Sequence, residues 1–481
     1  MASIKDDTLK SVKWTSVEKF ALQGMHFVMG IIMARLLSPS DYGTVGMLSI
    51  FLAISSTFID SGFGNALTRK LDRTEVDYST IFFFNVFVAI AFYLTLFLIA
   101  PWVADFFKLP ILCPILRVQA ISLILNSFIQ VQITKLIVNL DFKALATRSL
   151  LASGLSGVIG IFLAYKGFGV WALVYQGLLS TIITVFFIVF YCRWIPLFVF
   201  SKRSFIELGS YGGKLLASSL LHTIYMQLTT IIIGRYFSAK DLGYYKRGTS
   251  YAELPVNTFN SIIGRVAFPI MAKLQNDDNH LLSVYRKYIC TASLLIFWGC
   301  MFLAANAKPL IIILITEKWA PAIIYLQLYA FCIMFRHINS INLTLLQVKG
   351  RSDLFLRLEI FKKTISIAML FASIPFGVIG ICISRILYAQ IAIIFNTYYT
   401  GKNYGIGYFT QIKDFSVYFI YSFLACLPAY IFNYFDKSLY WGLGFGLISC
   451  PVLYYLLISK DTYFLGIKQI VIDKINNLTS K

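Results

Sequence analysis

The stretch that decides the fold reads ARLLSPSDYG, from Ala34 to Gly43, and it returns 200 residues later as GRYFSAKDLG, from Gly234 to Gly243. Four residues are identical in the two copies: Arg35 and Arg235, Ser38 and Ser238, Asp41 and Asp241, Gly43 and Gly243. The same register also aligns Thr57, Asp60, Ser61 and Gly64 with Asn257, Asn260, Ser261 and Gly264. A repeat at half-length predicts two lobes of one architecture, which is typical of transporters that handle substrate where the lobes meet.

In the first copy the stretch ends one long apolar run and begins another. Arg35 and Asp41 bracket the dipeptide Ser38-Pro39, which breaks the apolar pattern. Serine, proline and aspartate in this order predict a tight turn, and the flanking apolar runs place that turn at a membrane face.

The composition excludes an ordinary soluble protein. Of the 481 residues, 58% are hydrophobic and 13% are charged, and the mean hydropathy is +0.75. Soluble domains carry about a quarter charged residues. Repeated apolar runs of roughly 20 residues therefore predict an all-α, polytopic membrane protein. The first run, Phe20 to Leu37, has no small-residue cleavage site and is expected to remain as the first span.

The apolar pattern predicts about fourteen transmembrane helices in two six-helix lobes plus two C-terminal helices. The N-lobe covers residues 1–195, a cytoplasmic linker 196–211, the C-lobe 212–400, and spans thirteen and fourteen with a tail 401–481. Six spans per lobe is an even number, so the lobes are parallel repeats about an axis along the membrane normal. The predicted spans are residues 14–36, 43–67, 79–103, 112–136, 146–165, 170–192, 212–235, 243–270, 286–314, 321–347, 359–376, 378–399, 414–434 and 439–458.

The net charge of +20 is explained by membrane topology without any nucleic-acid partner. With a cytoplasmic N-terminus, the cytoplasmic connections and tail hold 29 lysines and arginines, and the opposite connections hold 10. This count assigns residues near a span end to the adjoining connection, and the remaining three, Arg117, Arg336 and Arg385, lie inside spans. By the positive-inside rule, this asymmetry predicts that both termini are cytoplasmic.

The orientation predicts the result of a reporter fusion. A reporter that is active only in the periplasm should be silent after Lys202 and active after Lys437, because these connections lie on opposite faces. Equal expression of the two fusions is checked by immunoblot. Activity after Lys202 would reverse the assignment.

Polar residues inside the spans are the candidates for function, because a charge at bilayer depth costs about 2.5–3.5 kcal/mol on insertion scales. They form stripes on spans one, two, four, eight and ten, which predict a shared wet cavity. The alternative is that Ser, Thr, Asn and Gln only join helices by hydrogen bonds. His26 is more simply a buried neutral histidine, and Asp60 could pair with a neighbouring basic residue. Arg336 is harder to explain structurally, since its own span contains no acidic residue.

Enzymatic and metal-binding patterns are missing from the sequence. It contains no Walker motif, no HExxH and no GxSxG. The eight cysteines are scattered through apolar segments, so we expect neither disulfides nor a metal site. The chain is therefore not expected to be an enzyme or to carry a cofactor.

Several segments together resemble one family, the lipid-linked oligosaccharide flippases of the O-antigen, capsule and colanic-acid type. These proteins lie in the superfamily that also contains the multidrug and toxic-compound extrusion transporters. The likeness spans roughly residues 5 to 410. The segments are ARLLSPSDYG at 34–43, DSGFGNAL at 60–67, GFGVWALV at 167–174, LGYYKRG at 242–248, RVAFPIMAKLQ at 265–275, EKW at 317–319 and KGRSDLFLRLEI at 349–360.

The resemblance implies a bacterial inner-membrane protein that moves undecaprenyl-diphosphate-linked oligosaccharide repeat units to the periplasmic leaflet by alternating access. It further implies a cationic central cavity and contacts with other polysaccharide-assembly proteins. Two residues depart from the family pattern. Thr229 stands where relatives often have an acidic residue, which puts a coupling carboxylate in span seven in doubt, and Thr316 stands where a glycine is usual before EKW.

A diphosphate headgroup needs cations and hydrogen-bond donors along its path, while the polyprenyl tail can stay in lipid. Coupling to H⁺ or Na⁺ would require a carboxylate in the cavity, for which Asp60 and Glu253 are the candidates. The candidate headgroup-binding residues are Arg336, Arg117, Lys19, Arg265, His26, Asn126, Asn257 and Asn260.

Two other functions compete with this prediction. A cation-coupled exporter of small amphipathic molecules on the same fold would favour an acidic cavity. A membrane glycan polymerase or ligase would need a long outer loop with catalytic residues, and the outer connections are short.

Overall fold

The structure is a computed structural model that describes residues 2–60, 62–435, 438–466, 468–469 and 473. Within these ranges, the side chains of residues 2–13, 15–17, 214, 258–266 and 352 are outside the description. The described chain is helical and contains no strand. The α-helices are α1 Ala2–Leu36, α2 Pro39–Asp60, α3 Phe63–Arg69, α4 Glu75–Phe106, α5 Leu112–Ser127, α6 Gln130–Val138, α7 Phe142–Tyr165, α8 Val170–Cys192, α9 Lys202–Tyr236, α10 Ala239–Lys273, α11 Asp278–Ala305, α12 Ala307–Ile315, α13 Ala322–Ile333, α14 Arg336–Val348, α15 Ser352–Ala372, α16 Gly377–Tyr404, α17 Tyr408–Phe435 and α18 Leu439–Ile458.

The helices confirm the all-α, polytopic class, since every predicted span falls on one helix or on a consecutive pair. Ten helices of the described chain have the length and hydropathy to cross a membrane, and counting α5 with α6 as one bent span gives eleven. The count of fourteen remains a prediction.

Packing divides the chain into two compact units, Met1–Gly243 and Tyr244–Lys481. In the first unit α9 packs against α2 and α3. In the second, α11 packs against α17 and α14, and Tyr285, Phe297 and Met334 lie in the buried core. The unit boundary follows α9, whereas the lobe boundary predicted from the repeat precedes it. The predicted lobes and their 196–211 linker remain a prediction.

The repeated motif forms the same helix cap twice. Ser38 precedes the first residue of α2, and its hydroxyl donates to Asp41 Oδ2 at 2.7 Å while accepting from the Asp41 amide at 3.3 Å. Ser238 and Asp241 make the same pair of contacts, at 2.6 and 3.0 Å. A serine cap with a carboxylate three residues later satisfies amide groups that the first turn leaves open. The predicted turn is therefore the N-cap of a helix.

The two copies of the motif also touch each other, within the first compact unit. A methyl group on Gly43 would lie 1.6 Å from the carbonyl oxygen of Ala239, and one on Gly243 would lie 1.8 Å from that of Pro39. The backbones at the starts of α2 and α10 thus cross in reciprocal contact, which we call the motif crossing. It explains why glycine stands at this position in both copies.

The two spans that correspond in the repeat, four and ten, are both interrupted. Span four is split into α5 and α6, which meet at a bend of 42° around residues 128–129. Span ten is split into α13 and α14 by a turn at residues 334–335. Gln130 and Arg336 are the first residues after the two interruptions.

Thr316, for which the resemblance implies a glycine, has a φ of 79°. This left-handed region is sterically unfavourable for a β-branched residue and open to glycine. Glycine would adopt this backbone conformation without strain, whereas threonine in this chain accepts some strain there.

Candidate functional site

Asp60, the last residue of α2, lines a pocket of about 220 Å³ in the first compact unit. Asn126 and Gln130, from the two sides of the α5–α6 interruption, line the same pocket. The Gln130 side-chain amide donates to Asp60 Oδ1 at 2.5 Å. None of the described side chains forms an ion pair with Asp60. The structure thus joins the predicted residues Asp60 and Asn126 in one polar pocket.

Other polar side chains of α2 hold it against α9. The Thr57 and Thr223 hydroxyls lie 3.1 Å apart, and Ser49 donates to Gln227 Oε1 at 3.3 Å. These contacts fit the alternative in which small polar residues join helices. Thr57 therefore needs no role in binding.

Arg336 lies beside Asn257 in the second compact unit. Arg336 Nη1 donates to Asn257 Oδ1 at 3.4 Å, which joins two of the predicted residues. The Tyr329 hydroxyl donates to Glu253 Oε1 at 3.0 Å and lies within electrostatic range of Arg336. Arg336 itself is exposed.

Two further cations belong to this group and were missed as candidates. Arg385 on α16 interacts electrostatically with Tyr329, and Lys246 on α10 interacts with both Glu253 and Arg385. We call Lys246, Glu253, Asn257, Arg336 and Arg385 the cation cluster. Of these five side chains, three are cations and one is a carboxylate. The sequence could have indicated Arg385 as a candidate, because it is a charged residue inside predicted span twelve.

Buried hydrogen bonds fix the orientation of α14 and hence of Arg336. His337 is fully buried, and its Nε2 lies 2.8 Å from the Ser293 hydroxyl of α11. One turn later, Asn342 accepts from the Tyr285 hydroxyl at 2.9 Å and donates to Gln411 at 2.9 Å. Since these side chains anchor one face of α14, the adjacent Arg336 is directed away from the core.

The other predicted residues lie elsewhere. Arg117 stacks on the Phe97 ring at 4.2 Å and donates to the Phe97 carbonyl at 3.3 Å, a contact between α5 and α4. Lys19 and His26 are exposed on α1, so His26 is not a core histidine. Arg265 and Asn260 are predicted residues whose side chains lie outside the described ones.

A charged group in the connection between α3 and α4 has a structural role. Lys70 contacts Asp77 and Glu207, each at 3.2 Å. Desolvation alone would lower the pKa of Lys70, but its hydrogen bonds to the two carboxylates outweigh desolvation and raise the pKa. This lysine therefore joins α9 to α4 as a charged group, and the two carboxylates balance its positive charge.

The helical architecture, with ten to eleven helices able to cross a membrane in the described chain, defines a polytopic membrane protein. A solved structure titled lipid II flippase MurJ, in an inward closed conformation, superposes with a TM-score of 0.77 at 13% identity, over 92% of this chain and 97% of that one.

A family described as polysaccharide biosynthesis protein matches residues 32–324, and the chain belongs to this family. The teichuronic acid biosynthesis protein TuaB of Bacillus subtilis (strain 168) is 26% identical over 356 residues, 74% of each chain. The lipopolysaccharide biosynthesis protein WzxC of Escherichia coli (strain K12) is 24% identical over 402 residues, 80% of this chain and 79% of that one. The resemblance seen in the sequence is confirmed.

Proposed function

We propose that this protein moves undecaprenyl-diphosphate-linked oligosaccharide repeat units across the bacterial inner membrane by alternating access, for the synthesis of surface polysaccharide. Its membership of a polysaccharide biosynthesis family supports a role in making surface glycan, and its structural likeness to the lipid II flippase MurJ supports the transport of a lipid-linked substrate. We further propose that both termini are cytoplasmic, which the asymmetry of lysine and arginine supports.

The observation that carries the proposal is the positive excess of the cation cluster. Three of its five members, Arg336, Arg385 and Lys246, are cations, and one, Glu253, is a carboxylate. A diphosphate can accept forked hydrogen bonds from guanidinium groups and offset their desolvation cost. A small amphipathic cation would not be attracted to the positively charged side chains of the cation cluster. The exporter of such molecules therefore stays the second candidate, supported only by the Asp60 pocket.

Reconstituted vesicles can separate the two functions. Purified protein is placed in vesicles with a fluorescent polyprenyl-diphosphate oligosaccharide, and a membrane-impermeant quencher measures how much of the lipid changes leaflet. The same lipid with a neutral linkage in place of the diphosphate serves as the matched control. We expect fast exchange of the diphosphate lipid and slow exchange of the neutral one. Transport of ethidium without lipid exchange would favour the exporter.

Coupling to an ion gradient is proposed for Asp60. Asp60→Asn removes the ionisable carboxylate but keeps an oxygen for the contact with Gln130. Gradient-driven exchange should fall several-fold, whereas binding of the lipid should change little, since the cation cluster is intact. The measurement compares exchange with and without an imposed H⁺ or Na⁺ gradient. Unchanged gradient dependence in the variant would leave Asp60 a structural role only.

A further inference from the structure

The connection between α8 and α9 exposes a continuous apolar run to its surroundings. Residues 194–200 read WIPLFVF, and the chain is not helical here. Phe198 is 93% exposed, Ile195 79% and Phe200 55%. Contiguous exposed apolar surface of this kind marks a site of contact with lipid or another protein.

The backbone of this run is hydrogen-bonded to α4. The Leu197 amide donates to the Ser79 hydroxyl at 2.9 Å, and the Ser201 amide donates to the Thr80 hydroxyl at 3.1 Å. The Val199 amide donates to the Leu197 carbonyl at 2.7 Å. Irregular backbone is costly near lipid unless its amides have partners. The Ser79 and Thr80 hydroxyls reduce that cost by accepting hydrogen bonds from the backbone amides. In water, solvent molecules would accept from the same amides.

Trp194 fixes the start of the run. Its indole nitrogen donates to Glu75 Oε2 at 2.7 Å, and Glu75 also pairs with Lys135 at 2.7 Å. The ammonium group of Lys135 lies 4.8 Å from the centre of the Trp194 ring. A tryptophan with one polar edge satisfied is typical of the membrane–water interface.

The position along α4 agrees with an interfacial depth. At 1.5 Å per residue, the 32 residues of α4 extend about 48 Å, whereas the hydrocarbon core is about 30 Å thick. Its first turns, which carry Ser79 and Thr80, therefore reach the headgroup region if the excess is shared between both ends.

The run also continues the outer surface of α8 and is flanked by basic residues. Phe186 and Phe190, in the last two turns of α8, are each 63% exposed. Arg193, Lys202 and Arg203 are exposed at the two ends of the run. Basic residues beside an apolar surface favour contact with lipid phosphates.

We propose that residues 194–200 form a lipid strap, an extended segment that lies in the boundary between headgroups and acyl chains of one leaflet. The occupant of its exposed face is phospholipid. The strap ties the end of α8 and the start of α9 to the membrane surface, a role separate from substrate transport.

Spin-label accessibility in phospholipid nanodiscs tests the strap. The full chain carries serine at Cys113, Cys192 and Cys332, the three cysteines that are not fully buried. A nitroxide label is attached to Phe198→Cys, and its accessibility to oxygen, which concentrates in lipid, is compared with that to a water-soluble nickel chelate. The controls are Asp72→Cys in the exposed α3–α4 connection and Phe186→Cys on α8.

We expect the label at residue 198 to resemble that at residue 186, with greater accessibility to oxygen than to nickel, and the label at residue 72 to show the reverse. Two results would overturn the strap. A label at 198 that resembles the one at 72 would place the run in water. A label shielded from both reagents would show that protein covers it.

Discussion

Arg336→Ala should reduce exchange of the diphosphate-linked lipid to the level of protein-free vesicles. The guanidinium is exposed at the first residue of α14, next to Asn257, and no described carboxylate pairs with it. Without it, the diphosphate would lose a forked, charge-assisted partner, which binds more strongly than a neutral hydrogen-bond donor. Arg336→Lys should retain part of the activity, because the charge remains but the fork is lost. The measurement is the initial rate in vesicles.

The matched control is Arg357→Ala, which removes an exposed arginine from α15 outside the cation cluster. It should exchange lipid at the rate of the unaltered protein. All variants are compared at equal incorporation and with the same thermal unfolding midpoint, because a folding defect would also lower the rate. Normal exchange by a folded Arg336→Ala protein would refute the role of this arginine in binding the headgroup.

Gly43→Ala should destabilise the protein strongly. Its new methyl group would lie 1.6 Å from the carbonyl oxygen of Ala239, so the motif crossing has to open. Overpacking usually costs about 1–3 kcal/mol, and here the obstructing atom is backbone and cannot rotate away. Gly243→Ala should have a similar effect, since the contact is reciprocal. We expect both variants to show lower unfolding midpoints and lower membrane abundance.

Gly177→Ala is the control for a helical glycine, because a methyl group there would meet nothing within 4 Å. It should be neutral or slightly stabilising. The double variant Gly43→Ala, Gly243→Ala should lose less stability than the two single variants lose together, because the first substitution already opens the crossing. A Gly43→Ala protein as stable as Gly177→Ala would contradict the close contact.

Local sequence patterns predicted the helices and the turn well. Ser38 and Asp41 act through neighbours three residues apart, so their cap could be inferred from the sequence as a turn. The motif crossing joins residues 200 positions apart, and no local pattern reports such a contact. The sequence could show only that glycine recurs.

The interruptions of spans four and ten also had no local signal. Breaks in helices usually occur at proline or glycine, which can be recognised in the sequence. Here the residues at the breaks are Phe128 and Ile129 in one span and Met334 and Phe335 in the other. Without proline or glycine at these positions, the breaks could not be predicted from the sequence.

The cation cluster was predicted in part for a similar reason. Single-span patterns found Arg336, Asn257 and Glu253. Grouping them with Lys246 and Arg385 required α10, α13, α14 and α16 to be placed in space. Charge inside a span is visible in the sequence, whereas the partner of that charge is not.

The motif crossing has a consequence for how the two halves of the chain can evolve. Each copy of the motif is the surface that the other copy binds, much as the two faces of an isologous contact constrain each other. A larger residue in one copy is obstructed by the backbone of the other, so neither glycine can drift independently. A larger side chain is therefore disfavoured at Gly43 and at Gly243 for the same reason. The recurrence of glycine at these two positions thus follows from one shared backbone contact and not from two separate requirements.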